Sequence, residues 1–168
     1  MKRNLCFIAT IIVCYLLQST VFQYLQLAHI APNLLLIVVV AIAYIRGKNE
    51  AMFYGLLCGL LMDCQHSEII GIYTFLYILV GYLAGFCNKL YYHDDYTIPI
   101  ALVAVGDIVF NILFYVIAFL LRNRTDFLYY FRRIIIPEAV YTVLISIFLY
   151  KLIHYFVTNI ENMSRKES

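Results

Sequence analysis

The sequence contains few charged residues, and this shortage excludes several classes of protein. Only 13% of its 168 residues are charged, whereas 64% are hydrophobic. A soluble domain has about 25% charged and about 45–50% apolar residues, so one small core could not bury this much apolar surface. Lipid is therefore the expected solvent for most of the chain. The formal net charge of +2 is too small to indicate a nucleic acid partner.

The sequence also lacks the motifs of common cofactor sites and active sites. Its five cysteines are an odd number, and they form no Cys-x-x-Cys pair and no Cys/His ligand spacing. Cys6, Cys14, Cys58 and Cys87 lie within apolar runs, where cysteine packs as a small hydrophobe. No GxSxG, Walker or HExxH motif occurs. We therefore predict no cofactor or metal site, and an enzyme is disfavoured.

The apolar runs predict an all-α, polytopic membrane protein, with residues 1–168 forming a single transmembrane domain. A spanning helix needs about 20 apolar residues. Full-length runs cover residues 4–28, 69–88, 97–121 and 134–156. The first follows Met1, Lys2 and Arg3 like a secretory signal, but it is too long and has no convincing cleavage site, so we predict an uncleaved helix.

Two shorter apolar runs, 32–45 and 51–62, bring the predicted total to about six helices. Each would be about 18–21 Å long as a helix, against about 30 Å of hydrocarbon. They predict either two short crossing helices packed among the others or a re-entrant hairpin. The polar link at residues 46–50 lies between them in both cases.

The distribution of lysine and arginine predicts that both termini are cytoplasmic, because basic residues near span ends stay inside. If the short segments cross, eight of the twelve basic residues lie inside: Lys2, Arg3, Arg46, Lys48, Lys89, Lys151, Arg165 and Lys166. Four lie outside and weigh against this orientation: Arg122, Arg124, Arg132 and Arg133.

A buried polar pair is predicted in the middle of the 97–121 span. An aspartate at this depth costs about 2.5–3.5 kcal/mol, so Asp107 must face the bundle interior or a wet cavity. Asn111 follows four residues later and lies on the same helical face. The pair is either a ligand or proton site or, as we favour, an interhelical hydrogen bond that fixes packing.

Two further acidic positions have competing interpretations. Glu138 follows Pro137, which favours a helix start with a carboxylate in its first turn, where it could also pair with Arg132 or Arg133. Asp63, His66 and Glu68 cluster where the second short segment ends. They could bind a metal or exchange protons, but polar residues also collect where membrane helices end, and we favour helix termination.

Glycines four residues apart occur twice, at Gly55 and Gly59 and again at Gly81 and Gly85. Such spacing leaves a groove where another backbone can approach closely. Packing within the chain is the expected use, because a short helix must be surrounded by protein. A face for a partner helix is the alternative.

In their order along the chain, several of these residues resemble the MreD family of bacterial rod-shape proteins. Members typically open the second helix with a proline, an acidic or amide residue and leucines, followed by an Arg-Gly loop and a glycine-rich segment that closes in Leu-Leu-x-Asp. The matching residues here are Pro32, Asn33, Arg46, Gly47, Gly55, Gly59, Asp63, Gly71, Gly81 and Gly85. The resemblance covers residues 32–85. Asn33 departs from it, because many relatives carry aspartate there.

The resemblance implies a non-enzymatic subunit of the bacterial cytoplasmic membrane. MreD-like proteins associate with the bitopic protein MreC and, through it, with MreB filaments, the RodA glycosyltransferase and a class B penicillin-binding protein. Together these direct peptidoglycan synthesis in the lateral wall. The six-helix arrangement is similar to that of the vitamin-binding subunits of energy-coupling-factor transporters.

That similarity supplies an alternative function, the binding of a transported small molecule. It would need an outward-opening polar cavity, which Asn33, Asp63, His66 and Asp107 could line. Residues 4–28 contain only Ala9 and Ala28, rather than the closely spaced alanines with which those subunits dock their partner. A third class, an intramembrane enzyme built on Asp63 and Asp107, lacks a paired motif.

Overall fold

A computed structural model of the protein describes residues 2–21, 24, 31–66, 71–90, 96–122 and 127–166. Within these ranges the ordered elements are helices, and no strand occurs. We number them as follows: α1 (Lys2–Leu16, continued by the π-helix Leu17–Val21), α2 (Leu34–Arg46), α3 (Lys48–His66), α4 (Ile72–Gly85, continued by the 3-10 helix Phe86–Leu90), α5 (Thr97–Arg122) and α6, which runs through Phe127–Tyr130, the π-helix Phe131–Ile135 and Ile136–Lys166.

Four of the helical segments are long and apolar enough to cross a membrane. They are Asn4–Val21, Ile72–Lys89, Thr97–Ile117 and Leu128–Tyr155. Their outward faces carry large apolar side chains such as Leu5, Phe75, Val105 and Phe148, which are at least 58% exposed. Lipid is the solvent such faces require. The predicted class, an all-α polytopic membrane protein, is confirmed.

The short helix α2 lies at the centre of the bundle. Its residues 34–44 are each at most 2% exposed, and α2 contacts α1, α3, α4, α5 and α6. A helix that is apolar on all sides is typical of a segment buried in a protein core or in a membrane. Because neighbouring helices cover it, its 13 residues need not match the hydrocarbon thickness. Gly47, with φ 91°, separates α2 from α3.

Helix α3 is longer than the apolar run 51–62 indicates. It begins at Lys48 and ends at His66, so polar residues extend it at both ends. Within its first turn Glu50 pairs with Arg46, with 3.2 Å between Arg46 Nε and Glu50 Oε2. A polar residue with a hydrogen-bond or ion-pair partner can continue a helix. The apolar run alone therefore underestimates the length of α3.

The structure settles two predictions about proline positions. Pro32 does not open α2, because Asn33 is the N-cap residue and the helix begins at Leu34. Pro137 and Glu138 do lie in the first turn of the α-helical segment that begins at Ile136, as predicted, but helical structure already precedes this segment from Phe127. A π-helical turn precedes Pro137, in which Ile136 N–H donates to the carbonyl of Phe131. Proline has no N–H group and crowds the preceding turn, so a local π-turn accommodates it.

Candidate functional site

The predicted glycine groove on α3 contacts the backbone of α4. A Cβ atom added to Gly59 would lie 2.3 Å from Thr74 Cα, and one added to Gly55 would lie 2.9 Å from the carbonyl oxygen of Tyr77. Real Cβ atoms do not approach a backbone so closely, so only glycine fits at both positions. This groove is therefore filled from within the chain.

The second glycine pair makes the reciprocal contact from α4 to α3. A Cβ atom on Gly85 would lie 2.4 Å from Lys48 Cα, and one on Gly81 would lie 3.0 Å from the carbonyl oxygen of Ala51. The two helices thus form an antiparallel hairpin whose backbones touch along its length. Glycine is the residue that permits such proximity in membrane helices.

Asp63 joins the other end of this hairpin by capping α4. Its Oδ1 accepts a hydrogen bond from the backbone amide of Tyr73 at 3.0 Å, and its Oδ2 accepts from the amide of Thr74 at 3.0 Å and from the Thr74 hydroxyl at 2.5 Å. The first amides of a helix have no partner within it, and a carboxylate there also meets the positive dipole end. Gly71 precedes this turn with φ 108°.

The remaining residues of the acidic cluster are not placed with Asp63. The side chain of His66 and residues 67–70, which include Glu68, lie outside the described residues. Asp63 is only 2% exposed, and its hydrogen bonds go to the helix start rather than into a cavity. Asp63 therefore acts as a helix cap, as the favoured interpretation of helix termination requires.

Asn33 connects three helices at the start of α2. Its Oδ1 accepts hydrogen bonds from the amide of Leu36 at 3.2 Å and from the hydroxyl of Tyr77 at 2.5 Å. Its own backbone amide donates to Thr142 Oγ1 at 3.2 Å. Because both bonds to Oδ1 are donated by its partners, an aspartate at this position could accept them as well.

Sequence reasoning missed Gln18, which ties α1 to the same region. Its Oε1 accepts a hydrogen bond from the amide of Leu35 at 3.1 Å, and its Nε2 lies 3.8 Å from the Met62 sulfur. A single amide hardly lowers the mean hydropathy of the apolar span Asn4–Val21, which stays at 1.8, so Gln18 gives a weak signal in the sequence. Only the three-dimensional structure shows that Gln18 lies beside the first turn of α2.

At the opposite end of the bundle, Arg46 and Gly47 form the link between α2 and α3, and the polar side chains of Lys48 and Asn88 lie beside it. The amide nitrogen Nδ2 of Asn88 donates to the carbonyl of Tyr44 at 2.7 Å, next to Gly47. The ammonium of Lys48 lies 5.3 Å from the ring centroid of Phe86. Asn88 is a second residue that sequence reasoning did not select.

A cavity of about 220 Å³ lies towards the end of the bundle where α2 and α4 begin. Its polar lining comes from Gln18, Asn33, Asn111 and Glu138, with Tyr73 and Tyr130 adding phenol rings. The rings of Phe110 and Phe114 complete an aromatic wall, in which the Tyr73 and Phe114 centroids are 5.2 Å apart. Of the residues proposed for an outward cavity, Asn33 lines this one.

Asp107 and Glu138 place two carboxyl groups in this region from different helices. Asp107 is 0% exposed, and neither of its side-chain oxygens has a hydrogen-bond partner among the described residues. Asn111 is 5% exposed, and its Nδ2 donates to the backbone carbonyl of Asp107 at 3.1 Å. Among the described residues the Asp107 side chain therefore makes no hydrogen bond to another helix, so an interhelical bond from the predicted pair can come only from Asn111.

The Asn111 side chain instead hydrogen-bonds Glu138, whose charge also interacts with that of Asp107. Glu138 does not cap a free helix end, since residues 127–135 precede it in the same helical stretch. Arg132 and Arg133 are both exposed, and the guanidinium of Arg133 lies 5.4 Å from the Tyr129 ring centroid. The described part of the chain shows no ion pair between either arginine and Glu138.

These contacts define a multi-pass helical membrane protein in which polar and glycine residues join the helices to one another. The family model described as rod shape-determining protein MreD matches residues 1–160. The chain belongs to this family, which confirms the resemblance found in residues 32–85. No curated protein and no solved structure matches the chain.

Proposed function

We propose that this chain is the non-enzymatic membrane scaffold of the bacterial rod-shape complex. It would bind an MreC-like bitopic protein and, through it, act with MreB, RodA and a class B penicillin-binding protein in lateral wall synthesis. The observation that carries the proposal is the match of the MreD family model to residues 1–160. Family membership itself assigns the chain to rod-shape determination.

The use of the family motif residues supports a scaffold. Asp63 caps a helix, Asn33 joins three helices, and Gly59 brings two backbones together. Each is occupied in holding the bundle in one shape rather than in presenting a reactive group. A rigid set of helix faces is what a partner's single transmembrane helix requires for specific packing in lipid.

We further propose that the protein lies in the bacterial cytoplasmic membrane with both termini in the cytoplasm. The support is the excess of basic residues at that end of the predicted spans. In this orientation the cavity near Glu138 lies towards the outer surface, and the link at Gly47 lies towards the cytoplasm.

Complementation and co-purification test the scaffold proposal together. A tagged copy is expressed in rod-shaped cells depleted of their own MreD, with the partner MreC from the same source. We expect restored rod shape and recovery of MreC with the tagged protein from solubilised membranes. Restored shape without MreC association, or association in cells that stay round at normal protein levels, would contradict the proposal.

A second candidate, the small-molecule-binding transport subunit, is favoured by one observation, the polar cavity beside Asn33 and Glu138. Its volume of about 220 Å³ is smaller than the roughly 300–1,000 Å³ of typical small-molecule sites. Mass spectrometry of ligand extracted from the purified protein discriminates between the candidates. A stoichiometric vitamin in the extract would favour transport over the scaffold.

A further inference from the structure

We propose that the cavity beside Glu138 binds one primary ammonium group, supplied by an aminophospholipid headgroup or by a free amine. The arms of the experiment below distinguish these two sources. This site is separate from the partner binding proposed above, and either can fail without the other. Its chemistry follows from the charge, the lining and the volume of the cavity.

The carboxyl groups of the site can accept a cation. Glu138 lines the cavity, and Asp107, which is fully buried, is near enough for the two groups to interact. Burying a carboxylate away from water is costly unless it takes up a proton or is paired with a cation. Among the described residues, no lysine, arginine or histidine pairs with either carboxyl group. A bound cation would offset this cost.

The lining favours an organic cation. Rings of Tyr73, Phe110, Phe114 and Tyr130 form the wall, and ring faces attract ammonium groups. A carboxylate accepts about four hydrogen bonds, and Asn111 supplies one to Glu138, so acceptor capacity remains for ammonium N–H donors. In the described part of the chain, no three His, Cys, Asp or Glu side chains converge as a metal site would require.

The volume and position of the cavity suit a headgroup. A cavity of about 220 Å³ exceeds what a bare ion or one water molecule needs, since roughly 10–15 Å³ of such volume holds one water. Exposed Arg132 and Arg133 precede Glu138 on α6 by less than about two turns. An ammonium at Glu138 with a phosphate at these arginines would match the two charges of a phosphatidylethanolamine headgroup.

The experiment measures lipid retention by the full-length protein. Purified protein is exchanged into phosphatidylglycerol nanodiscs containing either phosphatidylethanolamine or phosphatidylcholine, and retained lipid is counted by native mass spectrometry. Soluble ethanolamine is titrated separately, with thermal unfolding as the readout. Glu138→Gln removes the charge and keeps the size, and Glu50→Gln is the matched control because Glu50 lies at the opposite end of the bundle.

We expect wild type and Glu50→Gln to retain phosphatidylethanolamine in preference to phosphatidylcholine, whose quaternary ammonium has no N–H donor. Glu138→Gln should weaken this preference about tenfold or more, the loss expected for a charged hydrogen bond. Stabilisation by ethanolamine without lipid retention would support the site and identify a soluble amine as its source. Lipid retention without an ethanolamine effect would identify the headgroup.

Three results would overturn the proposal. One is a preference for phosphatidylethanolamine, or a stabilisation by ethanolamine, that is equal in Glu138→Gln and wild type. The second is no effect of either probe on a folded wild-type protein. The third is an amine effect that appears only after Arg122→Gln and Arg124→Gln are combined. That result would show that the chain supplies its own cation. Circular dichroism of each variant establishes that it is folded.

Discussion

Thr74 donates two hydrogen bonds to the same oxygen of Asp63, from its backbone amide at 3.0 Å and from its hydroxyl at 2.5 Å. The Cα atom of Thr74 is also the atom that a Cβ added to Gly59, one turn before Asp63, would meet first. Asp63 and Gly59 of α3 therefore both contact Thr74 of α4. Thr74 fixes the register of the α3–α4 hairpin.

Removing the Asp63 cap should destabilise the hairpin. Asp63→Ala deletes both acceptor oxygens, and loss of a cap typically costs about 0.5–2 kcal/mol. Asp63→Asn keeps one acceptor and should lie between Ala and wild type. Thermal unfolding of purified protein measures this order, and hydrogen exchange should show faster exchange at the Tyr73 and Thr74 amides. Equal stability of Asp63→Ala and wild type would show that the cap is dispensable.

A large side chain at Gly59 should separate α3 from α4. Gly59→Leu is expected to reduce the amount of protein in the membrane sharply, because its side chain would overlap the backbone at Thr74. Leu60→Phe is the matched control, because Leu60 is 43% exposed and has room for added bulk. Immunoblots of membranes from cells expressing each variant measure the level. Normal accumulation and assembly of Gly59→Leu would mean that the contact is incidental.

The contacts of Asn33 predict that aspartate is the best-tolerated substitution. Asn33→Asp retains an oxygen for the Leu36 amide and the Tyr77 hydroxyl, whereas Asn33→Val leaves both donors unpaired. An unpaired buried donor costs about 1–3 kcal/mol. Thermal unfolding should rank Asp above Val, and the reverse order would show that the buried charge outweighs the hydrogen bonds.

Asp107→Asn separates a scaffold from a chemical role for the buried acid. The substitution keeps the size of the side chain and removes its charge, so a scaffold should keep normal membrane level, MreC association and rod shape. All three are measured in one strain that carries the variant as its sole copy. Loss of rod shape with normal level and association would contradict the scaffold proposal.

Reporter fusions test the proposed orientation. A periplasm-dependent phosphatase fused after Ser168 should be inactive, because the C-terminus is expected in the cytoplasm. The same reporter inserted at Arg124 should be active, because that position follows a span running in the opposite direction. Strong activity at Ser168 together with none at Arg124 would reverse the topology.

The sequence determined the class and most of the helix positions. Its apolar runs are long because each spanning helix must satisfy its backbone hydrogen bonds internally and face lipid with apolar side chains. The same requirement explains why α5, Thr97–Arg122, was located almost to the residue. The order of residues from Pro32 to Gly85 indicated the family before any contact was known.

Predictions that depended on local polarity were less accurate. The ends of α3 extend past its apolar run because Glu50 and Asp63 find partners in the folded chain. Pro137 correctly indicated that Glu138 lies in the first turn of an α-helical segment, but a π-turn joins this segment to the helix before it, so the turn is not a free helix end. Hydropathy treats each polar residue alone, whereas its cost depends on whether a partner is present.

The sequence alone therefore determined that this chain is a helical membrane protein and which of its residues must lie in the bundle. Only the tertiary structure decided which residues meet. In the folded chain the glycines of α3 contact the backbone of α4, and Asp63 caps the start of α4. Glu138 of α6 lies beside Asn111 of α5. Helical periodicity gives the face on which a side chain lies, but the partner on that face comes from packing between segments distant in sequence.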